Sequence, residues 1–123
     1  MAAKPILSIQ NLEITFPMAH RDFRAVKGVS FDVGNEKVGL IGESGSGKSL
    51  TGRSILRLLP GNAQARADAI RFEDRDLLGL SEAQMREIRG SRIAMILQDP
   101  KFSLNPVMTV GDQIAETCQI HLR

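Results

Sequence analysis

The stretch that decides the fold is residues 42–49, GESGSGKS, in which two glycines separated by four residues are followed by Lys and Ser. This pattern is typical of a phosphate-binding turn between a strand and a helix. An apolar run of strand length, Val38–Ile41, precedes it, and apolar residues at helical spacing follow it. The sequence therefore predicts a buried strand, the turn, and a helix that stops at Pro60.

The chemistry follows from that placement. Backbone N–H groups of a glycine-rich turn curl around an anion, and the N-terminus of the next helix adds partial positive charge. Lys48 can reach the β and γ phosphates of a nucleotide, and the Ser49 hydroxyl can ligate the Mg²⁺ that bridges them. A glycine-rich turn without a ligand is the alternative, which the strand and helix on either side disfavour. The predicted nucleotide-binding residues of the turn are Gly42, Ser44, Gly45, Ser46, Gly47, Lys48, Ser49 and, through its backbone N–H, Leu50.

Composition narrows the class of protein. The chain has 123 residues, 42% hydrophobic and 24% charged, which is the balance of a folded globular protein. Its 16 basic and 14 acidic residues are scattered and leave a formal net charge of +2, so nucleic-acid binding is not supported. Cys118 is the single cysteine, which excludes an internal disulfide. No apolar run reaches the ~18 residues of a membrane span, so we expect a cytoplasmic chain that meets a membrane only through a partner.

Two alternating runs precede the turn. The first covers Ile6–Phe16 with an irregularity at Asn11, and the second covers Ala25–Val33. Alternation of apolar and polar residues is typical of half-buried strands, and we expect these two to pair in antiparallel fashion.

Four elements are expected after the turn. They are a short strand at Ala69–Phe72, a helix from Ser81 to about Ile88 with a capping box, a buried strand at Ile93–Leu97, and a last helix capped by Thr109. The strand at Ile93–Leu97 would place Gln98 at its C-terminal end, where ligands of open α/β sheets bind. Gln98 could then face the nucleotide from the side opposite to Lys48.

Three stretches resemble one family: GESGSGKS at 42–49, IAMILQDP at 93–100 and SLNPVMTVG at 103–111. They resemble the ATP-binding subunits of bacterial ABC importers of the oligopeptide, dipeptide and nickel group, and the resemblance covers nearly the whole chain. It implies an α/β fold of the P-loop NTPase class and ABC type, with an antiparallel β subdomain beside the P-loop strand and helix. It also implies ATP and Mg²⁺ as cofactors, and an ATPase that powers the import of small solutes such as peptides.

The resemblance assigns roles to single residues. Gln98 corresponds to the glutamine that approaches Mg²⁺ and the reactive water, so Lys48 and Gln98 are the implied catalytic residues, and Ser49 and Gln98 the implied metal ligands. The aromatic residue that stacks on adenine falls on Phe16, with Phe23 as the runner-up, and either could instead be a core residue. The loop Gln98–Met108 is implied to contact transmembrane permease subunits, and a second nucleotide-binding subunit is the other implied partner.

Several family features do not occur in the sequence, namely an LSGGQ-like signature, a Walker B strand and a switch histidine. We therefore expect residues 1–123 to be the N-terminal portion of an ABC-type nucleotide-binding domain that turns over no ATP alone. Its apolar strands would lack neighbours, so self-association or a rearranged turn is expected. The alternatives are a soluble P-loop kinase, which the loop after Gln98 disfavours, and a regulatory module that binds nucleotide without turnover.

Overall fold

The computed structural model describes residues 3–122, which divide into two compact units with their boundary between Glu82 and Ala83. The first unit contains the five strands found among the described residues and the helix that follows the glycine-rich turn. The second contains most of the next helix and the last helix.

The sheet of the first unit is antiparallel, with the strand order β2-β1-β4-β5, and β3 also pairs with β1. The strands are β1 Leu7–Phe16, β2 Phe23–Val33, β3 Gln64–Arg66, β4 Ala69–Phe72 and β5 Arg75–Asp76. The helices are α1 Lys48–Ile55, α2 Glu82–Ile88 and α3 Val110–His121, with short 3₁₀ turns at Leu77–Gly79 and Pro100–Ser103.

Strand β1 forms the centre of the core, and its apolar side chains Ile9, Leu12 and Ile14 are fully buried. An offset of three residues puts side chains on opposite faces of a regular strand. Asn11 has a φ of 51°, and the pairing of β1 with β2 shifts register between Ile9 and Leu12. The predicted irregularity is therefore confirmed, and it is what brings both Ile9 and Leu12 into the core. The predicted antiparallel pair and the α/β class are confirmed as well.

The strand predicted at Val38–Ile41 is wrong. These residues are not assigned to a strand, they belong to no ladder of the described sheet, and Ile41 is 99% exposed. An apolar run forms a strand only where a neighbouring backbone satisfies its N–H and C=O groups. In the described part of the chain that neighbour is not provided, and the run is exposed on the surface.

The strand predicted at Ile93–Leu97 is also wrong. Only Ile93 takes part in pairing, through an isolated bridge to Arg89, and Ile96 is 92% exposed. Burial nevertheless alternates along the segment between half-buried and exposed residues. The segment thus keeps the two-sided pattern of a strand without a strand partner.

The predictions for the other strand and for the helices differ in accuracy. The strand at Ala69–Phe72, the end of α2 at Ile88 and the cap of α3 are confirmed, since the Thr109 hydroxyl accepts a hydrogen bond of 3.1 Å from the Asp112 N–H. Helix α1 ends at Ile55, well before Pro60. It ends there because Arg57 adopts a left-handed conformation with a φ of 54°.

In the second unit, a side chain of α3 organises the loop before the helix. The Asn105 N–H donates to Gln113 Oε1 at 2.9 Å, and Gln113 Nε2 donates to the carbonyls of Asn105 at 3.0 Å and Met108 at 3.1 Å. Hydrogen bonds from Gln113 of α3 therefore hold the loop that precedes this helix. None of the residues of α3 is buried.

Candidate nucleotide-binding site

Residues 42–47 form a turn that ends at the N-cap of α1. Gly45 and Gly47 have φ values of 82° and 97°, a region in which residues with a Cβ are strained. A Cβ on Gly47 would lie 2.8 Å from Val26 Cγ2 and 3.2 Å from the Ala25 carbonyl oxygen. Strand β2 thus lies so close to the turn that only glycine fits at the N-cap, and this contact positions the turn on the sheet.

The N-terminus of α1 is open to an anion. Gly47 offers no side chain as a cap, and the first turn of the helix contains no acidic residue. The first N–H groups of a helix have no carbonyl partner within it, and the helix dipole places partial positive charge there. The first helical bond runs from the Thr51 N–H to the Gly47 carbonyl at 2.9 Å. The N–H groups of Lys48, Ser49 and Leu50 therefore precede the helical bonding, as anion binding requires.

The ammonium group of Lys48 lies over its own turn. Nζ donates to the Gly42 carbonyl, to the Glu43 carbonyl at 2.9 Å and to Ser46 Oγ at 3.4 Å. The Ser46 N–H also donates to the Glu43 carbonyl at 3.1 Å. These bonds close the turn around the cation, so a bound phosphate would replace the protein oxygens as its acceptors.

A pocket of about 550 Å³ adjoins the turn, within the size range of small-molecule sites. One wall comes from β2 and includes Phe23, Arg24 and Lys27, and the other comes from the turn and α1. Phe23 is 57% exposed in this wall, and the half-buried Phe16 lies next to it with 6.4 Å between ring centroids. The pocket therefore combines an aromatic face with positive charge at one end of a phosphate-binding turn.

The structure brings the residues predicted for the turn together. Gly45, Ser46, Gly47 and Lys48 line the pocket. Gly42 accepts the hydrogen bond from Lys48, as described above, and Ser44 and Ser49 are exposed beside the pocket-lining residues in the chain. Leu50 is half-buried in the first turn of α1.

The Ser49 hydroxyl fits the chemistry of Mg²⁺, which prefers oxygen ligands and is held by few protein groups when phosphates supply others. Ser49 is the second residue of α1 and is exposed. Among residues 3–122, no group of three or more His, Cys, Asp or Glu side chains is arranged to hold a metal ion. A cation here would accordingly depend on the hydroxyl together with ligand oxygens.

Gln98 belongs to the second unit, where it is exposed on a bend. Residues 93–97 do not form a strand, so the prediction that Gln98 lies at the C-terminal end of a strand is wrong. The role of Gln98 toward a nucleotide stays a prediction from the resemblance.

Sequence reasoning passed over Arg24 and Lys27 and ranked Phe23 below Phe16. The pairing of the two strands explains the geometry, since Phe16 and Phe23 are partners at the end of the β1–β2 ladder that the connecting loop joins. The signal was present in the chain, because a residue two positions before the alternating run at Ala25 continues that strand. Extending the run back to residue 23 would have added Phe23 and Arg24 to the predicted strand that already contained Lys27.

Fold and site together define a phosphate-binding domain of the P-loop class. Similarity to known proteins identifies the family. The sequence profile of the ABC transporter family matches residues 26–122. A probable peptide ABC transporter ATP-binding protein, y4tR, of Sinorhizobium fredii is 53% identical over 120 residues, covering 96% of this chain and 36% of the relative. The dipeptide transport ATP-binding protein DppD of Bacillus subtilis is 47% identical over 118 residues, covering 94% and 35%. The glutathione import ATP-binding protein GsiA of Shigella flexneri is 44% identical over 123 residues, covering 94% and 20%.

The chain belongs to the ABC transporter family. It spans 36% and 35% of the lengths of the first two of these relatives, and less of the third. Within the described residues, no helix has both the length and the apolar character needed to cross a membrane.

Proposed function

We propose that this chain binds ATP at the turn of residues 42–49, as part of an ATP-binding subunit that powers the import of small solutes, peptides foremost. The observation that carries the proposal is the geometry of Lys48, whose ammonium is held over a glycine turn at an uncapped helix N-terminus. The membership of the ABC transporter family and the printed names of the peptide, dipeptide and glutathione relatives support the transport role. They disfavour the soluble kinase.

Triphosphate binding would exchange one set of bonds for another. The Lys48 ammonium would leave the carbonyls of Gly42 and Glu43 and donate to phosphate oxygens, while the N–H groups at the start of α1 bind the same anion. The Ser49 hydroxyl would hold Mg²⁺, with Gln98 as the second ligand that the resemblance implies, and the ion would supply positive charge next to the phosphates. The protein residues thus contribute position and positive charge, which are the main catalytic needs of phosphoryl transfer.

The base would stack on Phe23. This ring lines the same pocket as Lys48, is exposed, and has Phe16 beside it. Phe16 was the first choice from the resemblance, and its half-buried position suits a supporting role behind Phe23. Replacing Phe23 by Ala should weaken ATP and adenosine alike, whereas replacing Phe16 should act on both more weakly.

Calorimetric titration of the 123-residue chain with ATP, ADP and adenosine tests the phosphate site. Lys48→Ala should weaken ATP binding by roughly 10- to 100-fold, because charge-assisted hydrogen bonds to phosphate are lost, and should leave adenosine nearly unchanged. Lys37→Ala is the matched control, because it removes the same charge from an exposed position before the turn. Equal ATP affinity of wild type and Lys48→Ala would contradict the site.

The loop Gln98–Met108 is proposed to contact the membrane permease subunits, at the inner face of the cell membrane, with a second nucleotide-binding subunit completing the assembly. Phe102 is 81% exposed in this loop, and the Lys101 ammonium lies 5.8 Å from its ring centroid, so the loop offers an apolar and cationic surface. In the assembled importer, Gln98→Ala should lower transport-coupled hydrolysis while sparing ATP binding. Loss of binding with normal turnover of bound ATP would refute that role.

A further inference from the structure

The C-terminal end of α1 forms a Schellman motif in which an arginine occupies the position that usually belongs to glycine. The Arg57 N–H donates to the Ser54 carbonyl at 3.2 Å, and the Leu58 N–H donates to the Arg53 carbonyl at 2.9 Å. Arg57 itself has a φ of 54°. Glycine is favoured at this position because a Cβ is strained there. An arginine at this point indicates that its side chain offsets the strain.

The Arg57 guanidinium spans two backbone carbonyls beyond the sheet. Nη1 donates to the Leu80 carbonyl at 2.7 Å, and Nη2 donates to the Leu77 carbonyl. The fork is partly buried, and Leu77, which supplies one of the two carbonyls, is itself fully buried. Two fixed donors of one planar group match two fixed acceptors, which a lysine ammonium cannot reproduce with the same rigidity.

These bonds join the end of α1 to the segment that leaves β5. That segment contacts β4, and β4 pairs with β1 through Ile9 and Ile70. At its other end, α1 is held by the close contact of Gly47 with Val26 on β2. Helix α1 is therefore fixed to the sheet at both ends, and its orientation sets where its N-terminal N–H groups point.

We propose that Arg57 is a positioning residue that holds α1, and with it the phosphate-binding turn, in the orientation that binds phosphate. The effect of Arg57 on phosphate binding rests on the proposed function. Arg57 touches no ligand and acts through the helix. A preorganised set of donors binds an anion more tightly than one that must first be ordered.

The test compares substitutions at Arg57 by amide hydrogen exchange of the 123-residue chain. Arg57→Gly is the decisive variant, because glycine is the best residue for the backbone conformation but removes the guanidinium. We expect it to speed exchange within α1 by roughly 10-fold, the size of effect of a lost hydrogen bond to a charged group, with β1 unchanged. Arg57→Lys should restore part of the protection. Arg53→Gln removes one positive charge from the same helix and should match wild type.

Titrations with ATP and adenosine form the second arm. Arg57→Gly should weaken ATP binding by roughly 10-fold and adenosine binding far less, since only the phosphates contact the start of α1. Three results would overturn the proposal: unchanged exchange in α1, exchange that rises equally in β1, or faster exchange in α1 with unaltered ATP affinity. If wild type binds no ATP, the proposed function fails, while the exchange experiment still decides whether Arg57 holds the helix.

Discussion

Strand β1 and the run Val38–Ile41 are both rich in apolar residues, yet only one of them is a strand. Strand β1 has β2 along one edge and β3 and β4 along the other, and its side chains Ile9, Leu12 and Ile14 are fully buried. The run 38–41 has no ladder in the described sheet and is exposed. Hydrophobicity therefore makes a segment suitable for a sheet, whereas a strand exists only when a second backbone pairs with it.

The largest effect is expected from a comparison of two isoleucines that differ in burial. Ile14 is 0% exposed in β1, and Ile41 is 99% exposed. Ile14→Ala should lower the free energy of unfolding by about 2–5 kcal/mol, because it leaves a cavity in the core. Ile41→Ala should change the same quantity by less than about 0.5 kcal/mol. Urea unfolding followed by circular dichroism measures both, and similar losses would mean that 38–41 is packed after all.

The next effect tests how closely β2 approaches the turn. Gly45 and Gly47 share a left-handed φ, but an added Cβ meets open space at Gly45 and Val26 at Gly47. Alanine should cost about 1–2 kcal/mol at either position from backbone strain. Gly47→Ala should cost about 1–3 kcal/mol more, because β2 must move. Unfolding free energies of the two variants give the difference, and a larger loss for Gly45→Ala would invalidate the description of this contact.

Exposed strand-like segments should promote self-association, since unpaired apolar backbone is a template for another chain. Ile41→Lys should weaken self-association of the 123-residue chain by roughly 10-fold, about 1.4 kcal/mol. Val107→Lys is the control, because Val107 is also exposed, but its N–H already donates to Asn105 Oδ1 at 3.1 Å. Sedimentation over a range of concentrations measures both. Equal effects would show that any exposed apolar side chain suffices.

The smallest effect concerns the surface beside the sheet. The hydrogen bond and charge of Lys4 lower the pKa of the Asp74 carboxyl. Because the pKa of this carboxyl is lower in the folded chain, the pair stabilises the fold above the ordinary pKa of an aspartate, and this stabilisation is lost as pH falls through the lower folded value. Both side chains are largely exposed, so Asp74→Asn should leave the unfolding midpoint at pH 7 nearly unchanged. A clear shift in thermal denaturation would show that the pair is coupled to the core.

Local patterns predicted the elements whose partners are near in the chain. The β1–β2 pair and the Thr109 cap follow from alternation, turn residues and capping, which act over a few residues. The strand at Ala69–Phe72 has a nearby partner in β5, besides its distant pairing with β1. The strands at 38–41 and 93–97 were predicted from apolar content alone. Apolar content shows that a segment could join a sheet, but it does not show whether another strand lies beside it. Both predictions therefore failed.

The amino-acid sequence alone predicted the phosphate-binding turn, because the turn needs glycines, a lysine and a serine at fixed spacing and little else. It indicated the family through three stretches, at 42–49, 93–100 and 103–111. Only the tertiary structure decided that Phe23 lines the pocket beside Lys48, that β2 leaves space for a glycine alone at the N-cap, and that Arg57 joins α1 to the segment after β5. The physical reason is distance along the chain. Each of these contacts joins residues about twenty positions or more apart, and no local propensity encodes which surfaces meet there.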